Sequence, residues 1–340
     1  MRNNYAAWEL REDEFAHLES EQERLTRLCA YGVLAPSTHN AQPWRFTISQ
    51  NTIGVSIVPE RLVPFADTDG RLALVSLGAT LENIVIAGEH FGYRITVSQS
   101  TAPDMSGGVP IATLQFEKVA NAPTMTDGLF GAIPKRRSNR MPYTNTLPAQ
   151  DVLTKIGAMQ SGEARVHLVT DPELKARLAV IITTFREKLF SDTRVRGELA
   201  DLKRTNFTKQ ETGMPGFTMG FPDIASLFAP TAIRLINVIK LTKTKDLRLL
   251  TRHTPVVGIV SAGKTLGSAL DAGRTLERAL LMAQSLGLAT SLSAIPSNDE
   301  TLGGVVGVEC IPLMLFRLGT TDALPDHSPR IPAEKIITFN

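Results

Sequence analysis

One short pattern occurs twice in the chain, and it constrains the fold more than any other feature. Residues 78–82 read Gly-Ala-Thr-Leu-Glu and residues 273–277 read Gly-Arg-Thr-Leu-Glu. Ten residues after each glutamate a glycine, Gly92 or Gly287, ends the segment, and a strand pattern follows. Such repetition predicts two related halves whose central helices pack against each other, as in a symmetric dimer. The alternative is chance similarity between two buried helices.

Length and composition agree with a globular protein of two halves. The 340 residues exceed a typical single core, and 43% are hydrophobic while 21% are charged. The formal net charge is only +2, so nothing indicates binding to nucleic acid or to a membrane surface. There are two cysteines, no signal-like start and no apolar run of bilayer length. We therefore expect a cytoplasmic protein without a disulfide framework or a metal site.

Hydrophobic periodicity predicts a mixed α+β protein. The first helix is expected to begin after Asp13 as its N-cap and to end near Gly32. The predicted elements that follow in the first half are strands at 44–50 and 53–58, a long buried helix at 72–91, and strands at 93–98 and 111–117. Those of the second half are a helix at 152–159, a strand at 165–169, a helix from Asp171 to Phe190, a strand at 255–261, a helix at 268–286 and a strand at 312–318.

We divide the chain into a first half, 1–125, and a second half, 126–340, with a linker expected at 121–134. Residues 191–253 interrupt the rhythm of helices and strands with a basic, polar stretch that also contains glycines, prolines and aromatic residues. This composition suits a lid over a binding pocket. An ordinary surface excursion or an oligomer contact is the alternative.

Two segments carry most of the polar chemistry. Residues 35–46 read Ala-Pro-Ser-Thr-His-Asn-Ala-Gln-Pro-Trp-Arg-Phe, a turn rich in hydrogen-bonding groups between a helix and a strand. Residues 135–143 read Lys-Arg-Arg-Ser-Asn-Arg-Met-Pro-Tyr and place four cations around one serine. Arginine forks match phosphate oxygens. By themselves, the first segment could be an ordinary surface turn and the second a solvated charge run at a domain linker.

Together, the two segments resemble the cofactor-binding motifs of the nitroreductase superfamily of FMN enzymes. The resemblance implies contacts to FMN from the first loop through Pro36, Ser37, Thr38, Asn40 and Gln42. It also implies that Arg136, Arg137 and Ser138 contact the phosphate and ribityl chain, that Arg140 lies at the N1/O2 side of the ring, that Arg330 is a third phosphate ligand, and that a backbone N–H near Ser293 faces N5. No catalytic acid or base is implied, because the flavin carries the chemistry.

The order of the motifs departs from that of ordinary family members, in which the arginine motif comes first. Here each half keeps one motif, so the two halves would build a single FMN site. This arrangement is similar to the Acg-like branch, in which one chain mimics the dimer, as a monomer or as a homodimer of such chains. The resemblance implies a nitroreductase-like fold and hydride transfer from NAD(P)H through FMN to a quinone, nitroaromatic or similar acceptor. A flavin-storage protein of the same fold is the alternative, especially if the lid closes tightly.

Residues 258–265 offer a different interpretation. They read Gly-Ile-Val-Ser-Ala-Gly-Lys-Thr, which matches the P-loop pattern of nucleotide-binding proteins. However, Ile259 and Val260 continue a predicted strand, and no apolar strand ending in aspartate follows to hold magnesium. A P-loop protein is therefore the minor alternative.

Overall fold

The computed structural model describes residues 3–119, 128–307 and 309–340. The boundary predicted between residues 125 and 126, and much of the linker predicted at 121–134, lie outside the described residues. Within them, the helices and strands follow the predicted order, and the fold is α+β.

The first half contributes four antiparallel strands to a five-stranded sheet. Its elements are α1 (Glu21–Gly32), β1 (Trp44–Ser49), β2 (Thr52–Ile57), α2 (Arg71–His90), β3 (Tyr93–Gln99) and β4 (Ala112–Lys118). The strands lie in the order β1-β2-β4-β3. In β1 the side chains of Trp44, Phe46 and Ile48 are buried and alternate with more exposed residues, as expected for a strand with one face on the core.

The rest of the chain forms a second sheet with a large excursion. Its elements are α3 (Leu129–Ala132), α4 (Gln150–Gly157), β5 (Arg165–Val169), α5 (Pro172–Leu189), α6 (Thr193–Asp201), β6 (Lys203–Arg204), β7 (Met214–Pro215), α7 (Asp223–Leu235), α8 (Val238–Arg252), β8 (Val256–Ala262), α9 (Ser268–Ser285), β9 (Ala289–Ala294), α10 (Glu300–Val306), β10 (Ile311–Gly319) and β11 (Ile337–Phe339). The antiparallel sheet runs in the order β5-β8-β10-β9.

The two sheets repeat one topology. In each, two antiparallel strands precede a long helix, two further strands follow it, and the fourth strand in sequence lies between the second and the third. This correspondence supports the predicted duplication. The two sheets are not built entirely from separate halves of the chain. The C-terminal strand β11 crosses back and pairs in parallel with β1 of the first sheet.

The excursion lies where the first half has only a two-residue hairpin turn. Residues 50 and 51 connect β1 to β2, whereas residues 170–255 connect β5 to β8. The insertion therefore begins some twenty residues before the predicted start at 191 and includes α5, which Asp171 caps as predicted, by accepting a hydrogen bond from the Leu174 amide. We call residues 170–255 the excursion.

The central helices α2 and α9 cross at the two glycines of the repeated pattern. A Cβ atom at Gly78 would lie against the backbone of Leu270 and 2.9 Å from the Cα atom of Gly273. A Cβ atom at Gly273 would lie against the Val75 carbonyl and 2.8 Å from the Cα atom of Gly78. Only glycine at both positions permits this approach, which joins the two halves through one continuous core.

Helix α2 is also the only single helix among the described residues that is long and apolar enough to cross a bilayer, and 89% of that span is buried in the protein. Its apolar surface is therefore used for core packing. The helix pair α7 and α8 meets the same criterion only when taken together, and it is bent by 113°.

One prediction about local structure was wrong. Asp13 begins a short 3₁₀ helix, and α1 is instead capped by Ser20, whose hydroxyl accepts from the Glu23 amide while the Glu23 carboxylate accepts from the Ser20 amide. The minor alternative, a P-loop, is also contradicted, because residues 258–262 are buried within β8 and residues 258–261 pair with strands on both sides. Gly258 packs against the ring of Phe316, so the first five residues of the pattern form a paired strand and cannot curve around a phosphate.

Candidate functional site

A cavity of about 710 Å³ lies between the two halves and under the excursion. That volume is within the range of small-molecule and cofactor sites. Ten of the eleven residues predicted to bind the cofactor line it, although they come from both halves of the chain. They are Pro36, Ser37, Thr38, Asn40, Arg136, Arg137, Ser138, Arg140, Ser293 and Arg330.

The loop from Pro36 to Gln42 adopts a strained backbone. His39, Asn40 and Gln42 have φ values of 50°, 59° and 54°, in the left-handed region that non-glycine residues seldom occupy. Such residues persist only where surrounding contacts determine the conformation, and they occur frequently at binding sites. Here the Thr38 amide donates to Ser76 Oγ at 3.2 Å, and this contact attaches the loop to α2.

Asn40 ties three distant segments together. Its Nδ2 donates to the carbonyls of Gly213 and Pro329, both at 2.9 Å, and its Oδ1 accepts from Arg330 Nη1 at 2.7 Å. The Asn40 carbonyl in turn accepts from the Gly213 amide at 3.0 Å. The side-chain amide is thus fully used within the protein, and Asn40 acts on the cavity by orienting Arg330.

Gln42 does not line the cavity, so its predicted direct contact requires correction. The side chain is completely buried, with Nε2 donating to the Glu211 carbonyl at 2.7 Å and Oε1 accepting from the Ile331 amide at 2.9 Å. An amide with both ends engaged has no group left for a ligand. Its role is to hold the loop against the excursion and the C-terminal segment.

Arg136 and Arg330 form a pair of buried cations at one end of the cavity. Only 2% and 5% of their surfaces are exposed, and both donate through Nη2 to the Leu34 carbonyl, at 3.2 and 3.3 Å. Glu277 of α9 provides one carboxylate, whose Oε1 lies 3.4 Å from Arg136 Nε. Within the described part of the chain, Arg136 Nη1 and Arg330 Nε have no hydrogen-bond partner.

This cluster carries more positive than negative charge. Two guanidinium groups face one carboxylate, and burial raises the pKa of Glu277 to about 7 although both arginines oppose the shift. Burial, together with the charge of Arg136, lowers the pKa of Arg330 to about 9. Buried charges with unsatisfied donors are costly unless a counter-ion joins them. The arrangement is therefore suited to a buried anion such as a phosphate.

The remainder of the arginine motif is fixed to β9. Ser138 forms an isolated parallel bridge with Thr290, and the Asn139 amide donates to the Thr290 carbonyl at 2.7 Å. Arg137 Nη1 donates to the Pro325 carbonyl at 2.9 Å. The motif and the end of β9, including Ser293, therefore line adjacent parts of one wall.

A second group of basic side chains lines the cavity away from that pair. Burial lowers the pKa of Arg140 to about 10 and that of Lys203 to about 7. Among the described residues, Lys203 Nζ has hydrogen bonds to the sulfur atoms of Met214 and Met219, at 3.7 and 3.2 Å, and to no oxygen acceptor. Burial and the nearby charges of Lys203 and Arg140 keep the pKa of His39 well below its usual range, so that its ring is neutral.

Several lining residues were not predicted. Lys203 lies in a basic stretch without a recognisable motif. Trp8 stacks on His327 at 3.9 Å and lies under Arg330, although it belongs to a short N-terminal segment. Glu277 does not line the cavity itself, and the signal that could have identified it is a glutamate within a buried helix, which requires a cation. The apolar wall is contributed largely by the excursion, through Phe185, Phe190, Met214, Met219, Phe221 and Phe228.

Glu277 should make stability depend on pH. A carboxyl whose folded-state pKa of about 7 exceeds the ordinary value of 4.5 binds more protons when folded, so stability falls as the pH rises through that interval. For the ligand-free protein this amounts to about 3 kcal/mol. We expect Glu277→Gln to flatten the pH dependence of urea unfolding between pH 4.5 and 8. Glu60→Gln, at an exposed position, is the control. If the free energy of unfolding changed with pH equally in both variants, Glu277 would not be the group responsible.

Comparison with known proteins agrees with the motifs. No protein-family model matches the chain. The chain is 23% identical over 323 residues to "Putative NAD(P)H nitroreductase Rv3131" of Mycobacterium tuberculosis, covering 93% of this chain and 90% of that protein. It is also 23% identical over 316 residues to "Putative NAD(P)H nitroreductase acg" of the same organism, covering 89% and 90%.

Among solved structures, the chain is similar to the FMN- and NADPH-dependent nitroreductase NfnB from Sphigopyxis sp. strain HMH, with a TM-score of 0.41 and 15% identity over 62% of this chain and 98% of that one. The full-length relatives confirm the resemblance to the nitroreductase superfamily, and to its Acg-like members in particular.

Proposed function

We propose that this chain binds one FMN in the cavity between its halves and acts as an NAD(P)H-dependent oxidoreductase with a small-molecule acceptor, such as a quinone or a nitroaromatic compound. The observation that carries the proposal is the buried pair Arg136 and Arg330, of which only Arg136 pairs with a carboxylate and both retain N–H groups without partners among the described residues. Names of full-length relatives give further support, because two of them are called NAD(P)H nitroreductases.

The residues present fit FMN. Arg136 and Arg330 would hold its phosphate, with Arg137 and Ser138 nearby on the same wall. Arg140 and Lys203 supply positive charge on another part of the cavity, which suits the polar edge of the ring. When bound, FMN accepts a hydride from a reduced nicotinamide and passes reducing equivalents to an acceptor.

The protein's part in this function is to position and to exclude water. The strained loop at 36–42 is held by Asn40 and Gln42, and the arginine motif is held by β9, so both walls are preorganised. The aromatic and methionine side chains of the excursion cover the cavity and reduce its contact with solvent. We propose that the excursion acts as the lid, in a chain of two halves divided near residue 125.

A single site per chain is supported by the other side of the pseudo-symmetric arrangement. The cavity lies beside the start of α2 and the end of β9, so its counterpart would lie beside the start of α9 and the end of β3. There the backbone of Ser100 and Thr101 packs against Gly267, within 2.9 Å of the position of a Cβ atom. Gln99 also donates to Asp271 at 3.0 Å. Direct contacts thus fill the counterpart position.

The test is the visible spectrum of the purified protein after saturation with FMN and desalting, followed by anaerobic addition of NADH or NADPH. We expect about one flavin per chain, reduction by a nicotinamide, and rapid reoxidation by a quinone or a nitroaromatic compound. Two flavins per chain would contradict the single-site proposal. A retained flavin that neither nicotinamide reduces would instead favour storage of flavin.

A further inference from the structure

The excursion carries a surface that the proposed function does not use. Six large apolar side chains of α7, α8 and the bend between them are between 48% and 75% exposed, although they belong to ordered helices. They are Ile224, Leu227, Phe228, Leu235, Ile236 and Leu241. Clustered exposure of this kind marks an interaction site in a soluble chain. Isolated apolar residues elsewhere on the surface, such as Val109, do not form such a group.

On α7 the apolar residues share one face. Ile224, Phe228 and Leu235 follow helical spacing, and Leu227 lies beside them, while Ser226, Ala229 and Ile233 of the opposite face are buried. The helix therefore presents one apolar stripe to the core and another to the solvent. The outward stripe is left without a partner within the described chain.

The adjacent face of α8 is basic. Its exposed positions carry Lys245, Arg248 and Arg252, which fall on the same side as Leu241 by helical spacing, and Lys240, which lies about 100° around the helix at the edge of that side. The two carboxylates of α7 and α8 are engaged elsewhere, Asp223 with Asn206 Nδ2 at 2.8 Å and Asp246 with Arg186 at 3.1 Å. We call the six apolar and four basic residues the apolar–basic surface.

We propose that the apolar–basic surface docks onto an anionic lipid bilayer. Apolar side chains beside lysine and arginine are the combination with which amphipathic helices bind at the headgroup region. A second copy of the chain is less suitable, because a twofold contact would bring four cations against four. The small net charge of the whole chain does not reveal this local excess of positive charge. In the proposed complex, α7 and α8 lie on the bilayer surface and do not span the bilayer.

The cavity reaches this surface. Phe228 is 66% exposed and also lines the cavity, and exposed Lys245 does so as well. A docked bilayer would therefore lie at the mouth of the cavity. The docking itself does not depend on redox activity, so it can be tested separately from the proposed function.

The test is co-flotation of the flavin-loaded, full-length protein with vesicles of phosphatidylcholine alone or mixed with phosphatidylglycerol. We expect binding to the mixed vesicles only, and weaker binding when salt rises from about 0.1 to about 1 M, which shortens the screening length from about 10 to about 3 Å. Lys240→Gln/Arg248→Gln/Arg252→Gln should weaken binding about 100-fold, near fivefold for each cation.

Matched controls change the same number of residues elsewhere. Lys155→Gln/Arg177→Gln/Lys209→Gln alters three other exposed cations and should change binding little. Ile224→Ser/Leu235→Ser/Leu241→Ser should abolish flotation, whereas Val109→Ser/Leu147→Ser/Leu324→Ser, also at exposed positions, should not. Equal losses in the two charge variants would overturn the proposal. The proposal would also be overturned if the wild-type protein did not float with vesicles but formed a dimer, as measured by light scattering, and if Leu235→Ser dissociated that dimer.

Discussion

Replacing Arg136 with alanine should raise the dissociation constant for FMN by at least about 100-fold, because two N–H groups of a buried cation are lost to the phosphate and each charged hydrogen bond contributes about 1.5–3 kcal/mol. The side chain is 2% exposed, so water cannot substitute for it. Isothermal titration of the flavin-free protein measures the change directly. The dissociation constant of Arg136→Lys should lie between those of the wild type and Arg136→Ala, since lysine keeps the charge but lacks the planar guanidinium group.

This experiment needs a control for folding, because Arg136→Ala leaves Glu277 buried without its ion-pair partner. Breaking a buried pair in this way typically costs about 3–5 kcal/mol of stability. The double variant Arg136→Ala/Glu277→Gln removes both charges, and we expect it to fold while still failing to bind FMN. A folded double variant that binds FMN as tightly as the wild type would show that the phosphate lies elsewhere.

Asn40→Ala provides an independent variant from the other half of the chain. Its loss leaves Arg330 without the acceptor at 2.7 Å and frees the loop from Gly213. FMN occupancy should fall in this variant as well. Full occupancy in both Arg136→Ala and Asn40→Ala would refute a site divided between the halves.

Much of the fold could be predicted from local patterns because those patterns have local physical causes. The alternation of Trp44, Phe46 and Ile48 reports a sheet with one buried face, and it located β1 to within one residue. The long apolar run located α2 equally well. The repeated glycine and glutamate indicated a helix crossing, which the contact between Gly78 and Gly273 places in the centre of the molecule.

Other features depend on contacts between distant residues and leave no periodic trace. The side-chain amide of Gln42 could bind a cofactor as far as its chemistry is concerned. Only its hydrogen bonds to the backbone of Glu211 and Ile331 show that both its nitrogen and its oxygen are used within the protein. Lys203 looks like any surface lysine in the sequence, yet it is 9% exposed and lines the cavity. The basic motif could be recognised, but its pairing with Glu277 could not, because charge alone does not specify a partner.

The crossing of α2 and α9 gives the second large expected effect. Gly273→Ala should lower the free energy of unfolding by about 3 kcal/mol or more, because the added methyl group meets the backbone carbonyl of Val75 rather than a side chain that could rotate away. The helices would have to separate. We expect the apparent melting temperature to fall by about 4 °C, which differential scanning calorimetry can measure.

Gly304→Ala is the matched control, since it adds the same methyl group within a helix, at a position where no non-neighbouring atom of the described residues lies within 4 Å of the added Cβ atom. It should be neutral or slightly stabilising, as alanine favours helices over glycine by about 1 kcal/mol. Equal destabilisation by both substitutions would mean that helix propensity, and not the crossing, sets the cost.

Gly273→Ala should also weaken FMN binding, because the crossing of the two helices positions the cavity walls. Helix α9 carries Glu277, which pairs with Arg136, whereas α2 carries Ser76, which accepts from the loop at Thr38. A shift of one helix against the other therefore moves the two walls of the cavity relative to each other, and small displacements of preorganised groups are costly for binding. If Gly273→Ala lowered stability as expected but left the FMN dissociation constant unchanged, the walls would be positioned independently of the crossing, and the two halves would contribute to the site as separate units.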